Sequence, residues 1–203
     1  MDNEITMDYK DIPLEAIGNR VLEVGVSSRI MQTHLWPKIS LGSYTGIDVV
    51  NRVKDENILI IEEDIRDHIF PENEKYDTII SVHTFEHINL WDWPAIFEKL
   101  KSVLAVGGKF ILVLPHNQQF RGYPNFPKIL LNLDRYQQHL VFGINQKMLR
   151  YFLPDCTIFR RNHFFWRQDG CSLVWAIGRF IRRILTRNFN PIRRNIYAIW
   201  EKK

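Results

Sequence analysis

The chain has 203 residues, of which 45% are hydrophobic, enough for one domain with a sizeable core. No run reaches the roughly 18 apolar residues of a membrane span, and the acidic start MDNEITMDYK lacks the apolar run of a secretory signal. The two cysteines, Cys156 and Cys171, have neither metal-ligand spacing nor a disulfide framework, so an intracellular, cytoplasmic location is expected. The formal net charge of +4 is unevenly spread: residues 160–203 carry 11 lysines and arginines against 2 acids, and the first 159 carry 16 against 21. An acidic body with a basic end suits an anionic surface or partner at that end, or simply a solvated basic face.

In chain order, RVLEVG, SYTGIDVV, ILIIEED, YDTIISV and GGKFILVLP are short β-rich runs bounded by polar residues or glycine. Runs apolar on both sides of the alternation suit a parallel sheet covered on both faces. Between the fourth and fifth, WDWPAIFEKLKSVL repeats its apolar residues at helical spacing. Asp92 is its expected cap, Pro94 lies in its first turn and Gly107-Gly108 are its expected stop. Strand–helix alternation predicts a doubly wound α/β sheet. After Pro115 the pattern changes. Residues 116–140 mix polar, aromatic and proline residues as an insertion expected to cover an acceptor. NQKMLRYFL is a helix with Asn145 as cap, and TIFRRNHFFW and NIYAIWEKK are two late strands.

Ligands of open α/β sheets sit at the carboxyl ends of strands, near the point where strand order reverses. Gly25 follows the first strand, Asp48 ends the second, Asp64 ends the third and HTFEH follows the fourth. Asp48 lies 23 residues beyond Gly25, about where a carboxylate takes the two hydroxyls of an adenosine ribose. Its paired acceptor oxygens grip adjacent hydroxyls in a way no neutral residue matches.

The pieces VLEVGVSS, YTGIDVV, IIEEDIRD, YDTIISVHTFEHI and LKSVLAVGGKFILVLP, in this order and spacing, resemble class I S-adenosylmethionine-dependent methyltransferases over nearly the whole chain. The resemblance implies one domain over 1–203, a Rossmann-like sheet of order 3-2-1-4-5-7-6 with strand seven antiparallel, and S-adenosyl-L-methionine as cofactor. It places Glu23 and Gly25 beside the methionine part of that cofactor and Asp48 on the ribose. Val49 would flank the adenine, Asp64 with Ile65 would meet its edge, and His83 would line the pocket near the transferable methyl. Ser27 and Arg29 stand where the family usually or often has glycine. The cofactor has no pyrophosphate to approach closely, so serine costs less there than in a dinucleotide enzyme. Ser27 and Ser28 are also able to cap the helix expected to follow, whose amides attract the methionine carboxylate. A nicotinamide-binding sheet, or a sheet whose site has decayed, is the rival reading.

A sulfonium methyl is already reactive, so the protein mainly aligns the acceptor. A hydroxyl acceptor gains from a base, and histidine suits neutral pH. His83, His116 and His139 lie where such a base belongs, and His116 and His139 are preferred because they bracket the aromatic insertion. For each, a cap or a core hydrogen bond is the plainer role. Glu86 and His87 are expected to begin the next helix; FEH also resembles the same point in cyclopropane fatty acid synthases, a local match. No metal-ligand set is expected. The Asn/Asp-Pro-Pro-aromatic element of base-methylating enzymes is absent after strand four, which argues against a nucleic acid substrate.

Residues 172–187, SLVWAIGRFIRRILTR, set an apolar stripe (Leu173, Val174, Ile177, Phe180, Ile181, Ile184 and Leu185) against Arg179, Arg182, Arg183 and Arg187. That pattern suits peripheral contact with the inner face of a membrane, and equally packing on the sheet or a second subunit. It belongs to an insertion at about 172–190. The expected function is O-methylation of a small-molecule, sugar or glycan, or lipid-linked acceptor. The alternative is a non-catalytic binding or assembly protein that keeps the sheet.

Overall fold

The computed structural model describes residues 9–26, 30–51, 53, 58–115, 144–164 and 192–203. The expected insertions at 116–140 and 172–190 lie outside these, as do Ser27, Ser28, Arg29, His116 and His139.

The described residues hold β1 (Arg20–Val24), α1 (Trp36–Ile39), β2 (Ser43–Asp48), β3 (Leu59–Glu62), β4 (Tyr76–Val82), α2 (Trp93–Val103), β5 (Leu104–Pro115), α3 (Gln146–Phe152), β6 (Thr157–Phe164) and β7 (Ile192–Glu201). The strands form a seven-stranded sheet of order β3-β2-β1-β4-β5-β7-β6. The first five pair in parallel, and β7 runs antiparallel to both β5 and β6. This is the topology that the resemblance implies.

The strand periodicity of two sorts neighbouring residues to opposite faces. Leu22, Ile79, Phe110 and Leu112 join the core under α2 and α3, with Phe85, Trp93, Phe97 and Leu149. Val21, Ile80, Ile111 and Val113 join the core of the other face, with Ile12, Leu35, Ile39 and Tyr44. Both faces are covered, which is why the central strands read as continuous apolar runs. On the antiparallel edge, Phe159 and Tyr197 are register partners and stack with centroids 4.8 Å apart, a cross-strand pair of the kind that fixes register.

Three local expectations are corrected. Asp92 occupies the position before α2 but makes no side-chain cap; its carboxylate lies 3.4 Å from Arg66 Nη1 instead. Gly107 and Gly108 do not end α2, because β5 starts directly at Leu104. Gly107 takes a φ of 74° and donates its N–H to Lys202 O, and the β4–β5 register jumps from Tyr76↔Leu104 to Thr78↔Lys109. The glycines serve a bulge, where left-handed backbone is needed. After β1 there is no continuous helix from residue 30 onward: a 3-10 turn, Ile30–Gln32, precedes the one-turn α1. Thr33 Oγ donates to the Ile30 carbonyl at 2.7 Å, and Pro37 brings no N–H. Both compete with a helical ladder. Asn145, by contrast, caps α3 as expected, accepting from Met148 N at 3.1 Å.

Candidate active site

The chain order reverses between β1 and β4, so their carboxyl ends flank the crevice where open α/β sheets take ligands. Gly25 makes the turn out of β1 with φ of 81°, and its N–H donates to Ile47 O of β2 at 2.8 Å. A Cβ at Gly25 would stand 1.8 Å from Thr84 Oγ1. Glycine is therefore required twice here, for the left-handed backbone and for the close approach of the loop after β4. Ser81 Oγ donates to Val24 O at 3.0 Å, a second tie between the two strand ends.

Glu23 is fully buried on β1. The Tyr9 hydroxyl donates to its Oε1 and the Tyr44 hydroxyl to its Oε2. A buried carboxylate is tolerated only with such donors. Burial, followed by the charge and hydrogen bond of Glu23 and the charge of Asp48, pushes the Tyr44 phenol well above its usual range. Both oxygens thus serve the fold. No spacing rule links Tyr9 or Tyr44 to Glu23; the only sequence signal is an acid in an otherwise apolar strand.

Asp48 closes β2, and its Oδ1 accepts from Val50 N at 3.1 Å. Its carboxylate is only half-buried, and Val49 beside it is 60% exposed. An apolar residue that open at a strand end gives a flat ring a surface to lie on. Beyond β3, Asp64 is gripped by Arg66, with Nη2 to Oδ2 at 2.7 Å and Nε to Oδ1 at 3.0 Å. That hydrogen bond outweighs burial and holds the Asp64 carboxyl below its ordinary value. Ile65 is buried. Lys99 of α2 donates to the carbonyls of Ile65, Arg66 and His68 at 2.8–2.9 Å, which pins this loop to the helix. A groove between that loop and α2, lined by His68, Phe70, Lys75 and Val103, contains none of the expected site residues.

The loop after β4 is where the sequence reading falls short. Phe85–His87 form a 3-10 turn rather than the start of a longer helix. Phe85 is fully buried against Trp93, Phe97 and Phe110, and this drives Glu86 inward until its exposure is 0%. Glu86 Oε1 accepts from His83 Nδ1 at 3.0 Å, and His87 Nε2 lies 4.0 Å away. Burial pushes the Glu86 carboxyl up, but the His83 hydrogen bond and the charges of His83 and His87 outweigh it, so its value is lowered. His83 itself has φ of 53°, and its N–H donates to Val113 O of β5 at 2.9 Å. The i,i+3 spacing of His83 and Glu86 was the available signal. It reads as a helical pair, whereas the strained turn is what brings the two together.

Glu23, Gly25, Asp48, Val49, Asp64, Ile65 and His83 thus stand at or just beyond the carboxyl ends of β1 to β4. Among the described residues no cluster of histidine, cysteine and carboxylate side chains suits a metal ion, and no helix is long and apolar enough to cross a membrane.

Known proteins share this fold. A family model described as methyltransferase domain matches residues 9–169. No curated protein sequence matches the chain. Among solved structures, the N-methyltransferase NodS from Bradyrhizobium japonicum WM9 is similar at 14% identity, with a TM-score of 0.51 over 90% of this chain and 84% of that one. A cyclopropane-fatty-acyl-phospholipid synthase-like protein from Lactobacillus casei ATCC 334 gives 11% identity and a TM-score of 0.59, over 91% of this chain and 85% of that one. Coclaurine N-methyltransferase, solved with N-methylheliamine and S-adenosylhomocysteine, gives 13% and 0.59 over 92% of this chain and 68% of that one. At these identities the likeness concerns the fold, and the family match covers well over half of the sequence. The chain belongs to the methyltransferase domain family and is a class I S-adenosylmethionine-dependent methyltransferase.

Proposed function

We propose that this methyltransferase acts on an oxygen of a small-molecule, sugar or glycan, or lipid-linked acceptor. Bound S-adenosylmethionine supplies a methyl already activated on a sulfonium. The residues present fit that cofactor: Gly25 offers backbone without a side chain, Asp48 a half-exposed carboxylate and Val49 an open apolar face. In this reading Asp48 takes the ribose hydroxyls and Val49 flanks the adenine. Asp64 keeps acceptor capacity for the adenine edge beside its Arg66 pair, with Ile65 as the apolar neighbour. Glu23 shapes the methionine end through Tyr9 and Tyr44, and Ser27 belongs to the same end.

The observation that carries the oxygen assignment is the Gly25–Thr84 contact, which sets His83 beside the β1 turn. A hydroxyl must give up its proton as it attacks, so a histidine next to the transfer point supports an oxygen nucleophile. An amine already presents a lone pair, and it gains less. His116 and His139, preferred from the sequence as bases, lie outside the described residues and are the alternative to His83 in that role.

A screen of hydroxyl and amine acceptors with methyl-labelled S-adenosylmethionine tests this reading. Label recovered in an ether methyl is expected; label found only on nitrogen would overturn the oxygen assignment. Co-sedimentation with anionic vesicles at low salt separates a lipid-linked acceptor, met through the arginine face of residues 172–187, from a freely soluble one.

A further inference from the structure

We propose that Glu86 is the positioning residue of the transfer step: its buried carboxylate holds His83 through Nδ1, so that the opposite imidazole nitrogen receives the proton of the acceptor. This rests on the reading that a protonated nucleophile is methylated here, and it moves the base from His116 and His139, favoured by the sequence, to His83.

Three observations meet at this turn. His83 is a non-glycine residue with left-handed backbone at the end of β4, a conformation that persists only where the surroundings enforce it and that gathers at functional sites. Glu86 is fully buried, and its Oε2 has no hydrogen-bond partner among the described residues. A carboxylate placed that way costs stability that an apolar residue of similar volume would not. The strained turn also contacts Gly25 through Thr84, so the costs fall at the topological switch point and not at a remote corner. Phe85, wedged among Trp93, Phe97 and Phe110, supplies the packing that enforces both.

The chemistry matches an orienter behind a base. A carboxylate accepting from Nδ1–H fixes the tautomer and the ring plane, and it stabilises the imidazolium once a proton arrives. As the acceptor oxygen forms its bond to the methyl carbon, the carbon–sulfur bond breaks and its electron pair stays on sulfur. The acceptor proton passes to the His83 imidazole and later to water. Among the described residues the titratable groups facing Glu86 are His83 and His87. Against this turn β5 brings the Val113 carbonyl and Phe110, α2 brings Trp93 and Phe97, and β1 ends in Gly25.

The test titrates the full chain labelled at histidine ring positions, with His83 assigned from the signal lost in His83→Gln. In the wild type His83 should stay protonated at Nδ1 when neutral. In Glu86→Gln its midpoint should fall by about one pH unit or more, a tenfold loss of proton affinity. The acidic limb of the kcat/KM profile should shift with it, and neutral-pH turnover should drop about a hundredfold. S-adenosylhomocysteine affinity by calorimetry should stay within about threefold, well under one tenfold step of 1.4 kcal/mol. A wild-type His83 protonated at Nε2 when neutral would overturn the proposal even if Glu86→Gln failed to fold, as would an unmoved midpoint in a folded variant. Titration and tautomer need no acceptor. A failed oxygen screen with an intact His83 shift would therefore sink the acceptor assignment alone.

Discussion

The two halves of the proposed cofactor site are built differently. On the β1–β4 side both carboxylates, Glu23 and Glu86, are fully buried. Each is held by side chains from elsewhere in the chain or from a strained turn: two tyrosine hydroxyls for Glu23, His83 for Glu86. On the β2–β3 side Asp48 and Asp64 stay partly open and bond to residues two positions on, Val50 and Arg66. A buried charge needs fixed donors and so stiffens its surroundings. A half-exposed one is satisfied by water until a ligand replaces it. In the proposed reading the first side sets shape and the second captures the ligand.

Three substitutions test that division, in falling order of expected effect. Gly25→Ala should do most damage. Left-handed alanine costs about 1–2 kcal/mol and the collision with Thr84 about 1–3 kcal/mol more, a total near 2–5 kcal/mol by urea unfolding. Adding Thr84→Gly should recover the collision part only. If Gly25→Ala is as stable as the wild type, the close β1–β4 contact is not a constraint on the fold.

Tyr44→Phe comes next. It removes one of the donors of Glu23 and should cost about 1.5–3 kcal/mol at neutral pH, as for hydrogen bonds to charged groups. The same residue predicts an alkaline signature. Its folded value lies well above the usual 10.0, through burial first and Glu23 second. An unfolded chain gives up this proton near pH 10 while the folded chain keeps it. Stability from this group is therefore complete below that pH and falls above it, by about 1.4 kcal/mol per pH unit. Tyr44→Phe should flatten that fall; an unchanged slope would mean that another group causes it.

Asp48→Ala should separate binding from folding. Loss of a charge-assisted acceptor weakens S-adenosylmethionine affinity about tenfold to a hundredfold, or roughly 1.5–3 kcal/mol. Stability should change by no more than about 1 kcal/mol, since the group is partly exposed. A strong loss of stability with unaltered affinity would reverse the contrast between the two sides.

The strands were legible because burial on both faces writes continuous apolar runs, and because turn residues separate them; their order followed from the family resemblance. Gly25, Asp48 and Asp64 were legible for a related reason: strand ends are where side chains leave the core, and acids or glycine interrupt the apolar pattern there. Asp92 and the Gly107-Gly108 pair were misread, since local propensity names a cap or a stop without knowing that Arg66 or a β-bulge competes for the same residues. Glu86 was misread in the same way. Its sequence context is that of a helix start, and helix starts are usually solvated.

What the sequence determined by itself is the run of strands and the list of strand-end residues, both set by periodicity and short-range chemistry, while the strand order came from the family resemblance. Only the tertiary structure decided which acids are buried. Burial depends on neighbours far along the chain: Tyr9 and Tyr44 close over Glu23 from 14 and 21 residues away. Phe85 reaches the pocket between Trp93, Phe97 and Phe110 only once β4, α2 and β5 are stacked. That packing carries Glu86 inward and bends His83 into the left-handed region, because the cost of exposing a phenylalanine ring exceeds the cost of one strained residue.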